Sequence, residues 1–230
     1  MRNEDDLVSL SGMLPALTGT ATAITQTNLS GLYLLSACSF ARQVKSLEAE
    51  NEGKEFAEFW EEIFGYASAT ILTTVAALES YINEFFTDAY NNFETVDKHT
   101  LSIVTEAYEL KRILEKFGLA LRLKKLSEFK KGDRIFQNVQ LLIDLRNALV
   151  HFKPEWGNEQ KEHAKLSGKL RGRFEASPFL SDSRLFPKAW ASHGCCVWAI
   201  ESTMAFIEEF ENKTESLKRL EMFKPRFIYQ

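Results

Sequence analysis

Cysteine is scarce in this chain: the three residues present, Cys38, Cys195 and Cys196, form no CxxC pair. An odd count without that spacing excludes a disulfide framework or a zinc ribbon and leaves reduced thiols in a cytoplasmic protein as the expectation. Histidine is equally sparse. His99, His163 and His193 stand apart from one another and from any HxxxH pattern, so no metal site is expected. No glycine-rich phosphate loop, internal repeat or strand-period alternation occurs, which removes the common nucleotide-cradling motifs. No long hydrophobic run occurs either. The least polar stretch, around Tyr66 to Leu78, is too short and too rich in threonine to read as a bilayer span, so no membrane is expected. The opening Met1-Arg2-Asn3-Glu4-Asp5-Asp6 is acidic and leads into no apolar core, unlike a secretory signal. A net charge of -4 excludes a generally basic coat for nucleic acid but leaves room for a local basic patch.

What is present is helical periodicity. Residues 1–31, with Thr18-Gly19-Thr20-Ala21-Thr22-Ala23, read as an N-terminal arm; residues 32–212 read as one helical domain and 213–230 as a tail. Leu34, Ala37, Cys38, Ala41 and Val44 recur at helical spacing over Tyr33 to Ala49. The acidic residues between Glu48 and Glu62 interleave with Phe56, Phe59, Trp60 and Phe64, as on the solvated face of a helix. A long helix is expected from Phe56 to Tyr90 with a kink near Gly65, and another from Lys98 to Phe129 broken near Gly118. On the first, Glu79 falls among Val75, Ala76 and Ile82, where a carboxylate needs a cationic partner. The second ends in basic residues that include Lys124, Lys125, Lys130, Lys131 and Arg134, either a solvated helix face or a footing for phosphates. Helices are also expected at Ile135 to Phe152, Glu159 to Leu170 and Ser192 to Phe210, the last apolar on so many sides that it should be central. The fold class is all-α, a single helical bundle with a long central helix pair.

The stretch Arg146-Asn147-Ala148-Leu149-Val150-His151, followed by Lys153, sets a permanent cation, a carboxamide and an imidazole close together. Such groups can polarise a phosphodiester and move its proton without a metal. On a helical wheel Leu141, Leu142, Leu145, Leu149 and Phe152 form the core arc, with Asp144, Asn147 and His151 opposite. Ile143 and Val150 form a narrow second apolar strip, which a further helix or a twofold copy of this one could cover. Arg146 and His151 diverge by about 140° on a regular helix. Convergence on one phosphate therefore needs a loosened helix end or a partner's copy.

Ala77-Leu78-Glu79-Ser80-Tyr81-Ile82-Asn83 on an earlier helix, with Leu145-Arg146-Asn147-Ala148-Leu149-Val150-His151 later, resembles the HEPN superfamily of nucleotide-binding helical domains. Phe152-Lys153-Pro154-Glu155-Trp156 and Ser192 to Ala199 are similar to a bacterial branch of it. The resemblance implies a dimeric endoribonuclease without cofactor or metal, often the toxin of a toxin–antitoxin pair or a defence effector. It assigns His151 to proton transfer, Arg146 to the scissile phosphate and Asn147 to orienting the histidine or the phosphate. Glu79 matches the acidic position that orients Arg146, and Asp144 supports the same face. Lys124, Lys125, Lys130, Lys131, Arg134 and Lys153 become candidate RNA contacts, and an antitoxin protein a candidate partner. The competing reading is a non-catalytic binding or scaffold module. There Arg146 pairs with Glu79 as a buried bridge and His151 caps the helix. Cys195 and Cys196 read as small core residues, although a helix N-terminus can activate a thiol. Trp156 reads as a packing residue or a platform for a base.

Overall fold

The expected apolar stripes fold as helices in a computed structural model that describes residues 28–93, 96–108, 110–156, 161–180 and 184–230. Among them, all regular structure is helical: α1 (Leu29–Glu50), α2 (Phe59–Thr87), α3 (Ala89–Asn92), α4 (Lys98–Tyr108), α5 (Ile113–Leu123), α6 (Arg134–Val150), α7 (Lys161–Leu170) and α8 (His193–Thr214). A short irregular turn, Leu185–Ala189, with Phe186 in extended geometry, precedes α8, and a 3-10 turn, Lys224–Arg226, follows it. The protein is all-α. Most of the N-terminal arm lies outside the described residues, and Leu29 to Gly31, at its end, already belong to α1.

The centre is α2. It packs most extensively on α1, then on α8, and also meets α5 and α6. Its 29 residues are long and apolar enough, by length and composition alone, to cross a membrane. Ile71, Val75, Leu78, Ile82 and Phe85 are instead buried against neighbouring helices, as in the core of a bundle. Gly65 lies inside α2 with no break, and Phe56 lies before the helix starts. The apolar positions of α8 explain its place: Trp198, Ile200, Phe206, Ile207 and Phe210 are all buried, and the helix touches α1, α2 and α6. Its start is legible in the chain, since the Ser192 hydroxyl accepts from the Cys195 N–H at 3.1 Å as an N-cap. Glu48 of α1 adds a second acceptor, for the His193 N–H at 2.9 Å. Phe117 and Phe85 stand edge-on to Phe210, with centroids at 4.9 and 5.0 Å, and join α2, α5 and α8 in one aromatic core.

Two expectations about breaks are corrected. The segment 98–129 divides between Tyr108 and Ile113, not at Gly118, which is buried inside α5. A β-carbon at Gly118 would stand 2.7 Å from the Glu128 carboxylate, the movable end of a half-exposed side chain. Phe152 does not belong to the core arc. Helix α6 ends at Val150, and Phe152, past that end, is 48% exposed.

The residues after α8 pack back onto the bundle. Leu220, Phe223 and Phe227 are buried, and Phe223 covers Gly31 at the start of α1. The Glu211 carboxylate accepts from the Tyr81 hydroxyl at 3.1 Å and the Arg219 N–H at 3.0 Å, while Arg219 pairs with Asp88 at 2.9 Å.

Candidate functional site

Helix α6 carries the motif and packs on α8 and α2, with Leu141, Leu142 and Leu145 buried. That anchoring turns Asn147 and His151 outward, where both are exposed. The His151 N–H still donates to the Asn147 carbonyl at 2.9 Å. At φ -110° and ψ 39°, however, His151 has left helical geometry. The end is therefore loosened at the histidine itself. Arg146, Asn147 and His151 all line one groove of about 840 Å³ between α6, α5 and α2, despite their divergence on an ideal wheel.

Among the described residues, the Arg146 guanidinium and the His151 imidazole take part in no hydrogen bond or ion pair. Glu79 lines the same groove but does not pair with Arg146. Its carboxylate stands 3.9 Å from the Lys116 ammonium. The reason is burial: Lys116 is 4% exposed and must find compensation. It takes Glu79, the Asn83 side-chain oxygen at 3.1 Å and the face of Tyr108 at 4.9 Å. The expected cationic partner of Glu79 exists, on α5 rather than α6.

The other candidates divide. Asp144 accepts from Gln140 at 3.0 Å and pairs with Lys169 at 3.3 Å, which joins α6 to α7. Ile143 lines the groove and packs partly on the core, whereas Val150 is 53% exposed. Of the basic candidates, Lys131 lines the groove with the motif. Lys153 lines a second hollow on the α7 side, and Arg134 a third groove beside Trp198. Lys124 donates to the Asn92 carbonyl at 3.1 Å, and Lys125 and Lys130 line none of these three cavities. Arg112 and Arg122 do reach the motif groove, Arg122 as the partner of Glu128 at 2.8 Å. Their place in the basic segment was visible in the chain; their side of the bundle was not.

Compared with protein-family models, with curated proteins and with solved structures, the chain has no match in any of the three.

The remaining nucleophiles fit a structural role. Cys38, Cys195 and Cys196 are free and buried. Burial pushes the Cys38 thiol up to about 11 and that of Cys196 up to about 12, and raises Cys195 well above its ordinary value. The N-terminus of α8 does not activate them, because desolvation outweighs it. Among the described residues, no three His, Cys, Asp or Glu side chains gather as a metal-binding group. Trp156 corrects a further expectation: its ring is 81% exposed, so it is not a packing residue.

Proposed function

We propose that this protein is a metal-independent endoribonuclease of the HEPN type, a toxin or defence effector acting on RNA. The observation that carries the reading is a pair of side chains unengaged among the described residues, Arg146 and an exposed His151, lining one groove at the end of α6. A structural bridge would consume that arginine; here Lys116 holds Glu79 instead.

In the proposed reaction His151 takes the proton of a ribose 2′-hydroxyl. The 2′-oxygen attacks the adjacent phosphorus and the bond to the 5′-oxygen breaks. The departing oxygen takes a proton from the imidazolium, leaving a 2′,3′-cyclic phosphate and a 5′-hydroxyl. Arg146 holds the scissile phosphate and stabilises the extra charge it carries in the transition state. Asn147, beside both, orients the phosphate. A second copy packed over Ile143 and Val150 would set two such groups around one cleft, and an antitoxin covering the same end would silence it.

The test is single-stranded RNA incubated with purified protein in EDTA, with His151→Ala and Arg146→Ala alongside. Cutting by the wild type that both substitutions abolish supports the proposal. RNA left whole by the wild type, or cut equally by the variants, leaves the non-catalytic helical module.

A further inference from the structure

The end of α6 is a ridge between two hollows. Asp144, Asn147 and His151 line both the larger groove toward α5 and a second hollow of about 330 Å³ against α7. A strand whose phosphate sits at His151 continues in both directions, since nucleotides flank that phosphate on each side. Resting on the ribonuclease reading above, we infer that the α7-side hollow, with exposed Trp156 next in the chain to its Glu155, is a second nucleotide subsite for single-stranded RNA.

Charge favours it. Lys169 is matched by Asp144 at 3.3 Å and Lys165 by Glu162 at 3.9 Å. The Glu155 carboxylate accepts the N–H groups of Glu162 and His163, at 3.2 and 3.3 Å, and so caps the first turn of α7. Among the described residues, Lys153 is the lysine of the hollow with no ion pair, and it follows the motif by two residues. A phosphate can take that unpaired ammonium.

The segment after the motif is also held in place. The Lys153 carbonyl can only accept, so the His163 Nε2–H donates to it, at 3.0 Å. Phe152 stacks over the same imidazole with ring centroids 5.4 Å apart, and Phe186 meets it edge-on at 4.9 Å. This backing fixes the backbone from which Lys153 and Trp156 project. His163 is a positioning residue; with a ring buried at 7% exposure it does not reach substrate. No other ring pairs with Trp156 among the described residues, and its faces are open. Alternating rings and cations are how proteins hold single strands: a base stacks on the indole while the lysine takes the linking phosphate. An apolar protein partner would match Trp156 but leave Lys153 uncompensated.

The test uses the full chain carrying His151→Ala, so that RNA is bound without being cut, and oligouridylate as the probe. Affinity is read by anisotropy and by quenching of tryptophan fluorescence. Adding Trp156→Ala is expected to weaken binding about 5- to 150-fold, the loss of one stacked base, and to remove most of the quenching. Trp156→Phe should restore much of the affinity. Lys153→Ala should lower the salt dependence by about one phosphate contact. Unchanged affinity and quenching in Trp156→Ala and Lys153→Ala overturn the subsite, even where the wild type cuts RNA. Conversion of a dimer to a monomer by Trp156→Ala overturns it too, because the ring then belongs to an interface. Binding and quenching that depend on Trp156, in a protein whose wild type never cuts RNA, support the subsite and reject the ribonuclease reading.

Discussion

Replacing Arg146 or His151 by alanine should leave the fold almost as stable as before while removing activity. Neither side chain makes a hydrogen bond or ion pair among the described residues, and His151 contributes only its backbone N–H to α6. Loss of such groups normally changes stability by no more than about 0.5 kcal/mol, or about 1 kcal/mol where the arginine's stem rests on neighbours. For a chain of this size that shifts the melting temperature by roughly 2–4 °C at most. Lys116→Ala provides the contrast. The residue is 4% exposed, donates to Asn83 and rests on the Tyr108 ring, so losing its packed stem and that bond should cost about 1–3 kcal/mol. On the chemical side, removing one oxyanion-type donor lowers the rate about 10²–10³-fold and removing the general base about 10²–10⁴-fold. Thermal melts of the three variants, set beside RNA cleavage by Arg146→Ala and His151→Ala, separate the two roles. Should Arg146→Ala lose as much stability as Lys116→Ala, the arginine is a structural member of the bundle and the reasoning fails.

Gly118→Ala should be neutral to slightly stabilising. Alanine gains roughly 0.5–1 kcal/mol inside a helix, and the displaced Glu128 carboxylate gives up only a half-exposed pair with Arg122, worth about 0–1 kcal/mol. A loss beyond about 2 kcal/mol in denaturant melts would mean that Glu128 cannot move. Burial raises the Glu211 carboxyl above its ordinary value, so the fold is favoured below that ordinary value and loses this contribution as pH rises through the raised one. Glu211→Gln keeps an oxygen for Tyr81 and Arg219, and should match or exceed wild-type stability at neutral pH with a flatter profile on acidification. Melts from mildly acidic to neutral pH that find it weaker at neutrality count against this. All three thiols should resist maleimide in the native protein at neutral pH and react once it is unfolded, as mass spectrometry can follow; prompt native labelling would contradict their burial.

Much of the bundle is legible in the chain because apolar spacing is a local signal. Ser192 marks the start of α8, and Leu141, Leu142 and Leu145 orient α6 as their wheel positions imply. Interactions between helices are not local. Nothing near Glu79 shows that its cation comes from Lys116, because that choice follows from burial of the lysine on α5. Gly118 reads as a breaker until Glu128, in the connection after α5, is seen to fold back onto it. Arg134 begins the motif helix yet serves another groove. Twelve residues of α6 separate it from Arg146, about 18 Å along the axis and about 120° around it. Trp156 looks like a packing residue by composition, and only the way the chain leaves α6 exposes its ring.

End-group analysis of RNA incubated in EDTA addresses the central claim most directly. The wild type is expected to give fragments ending in 2′,3′-cyclic phosphate and beginning with 5′-hydroxyl, and His151→Ala none. Intact RNA with the wild type, fragments ending in a plain 3′-hydroxyl, or the same cyclic ends from the variant would contradict it.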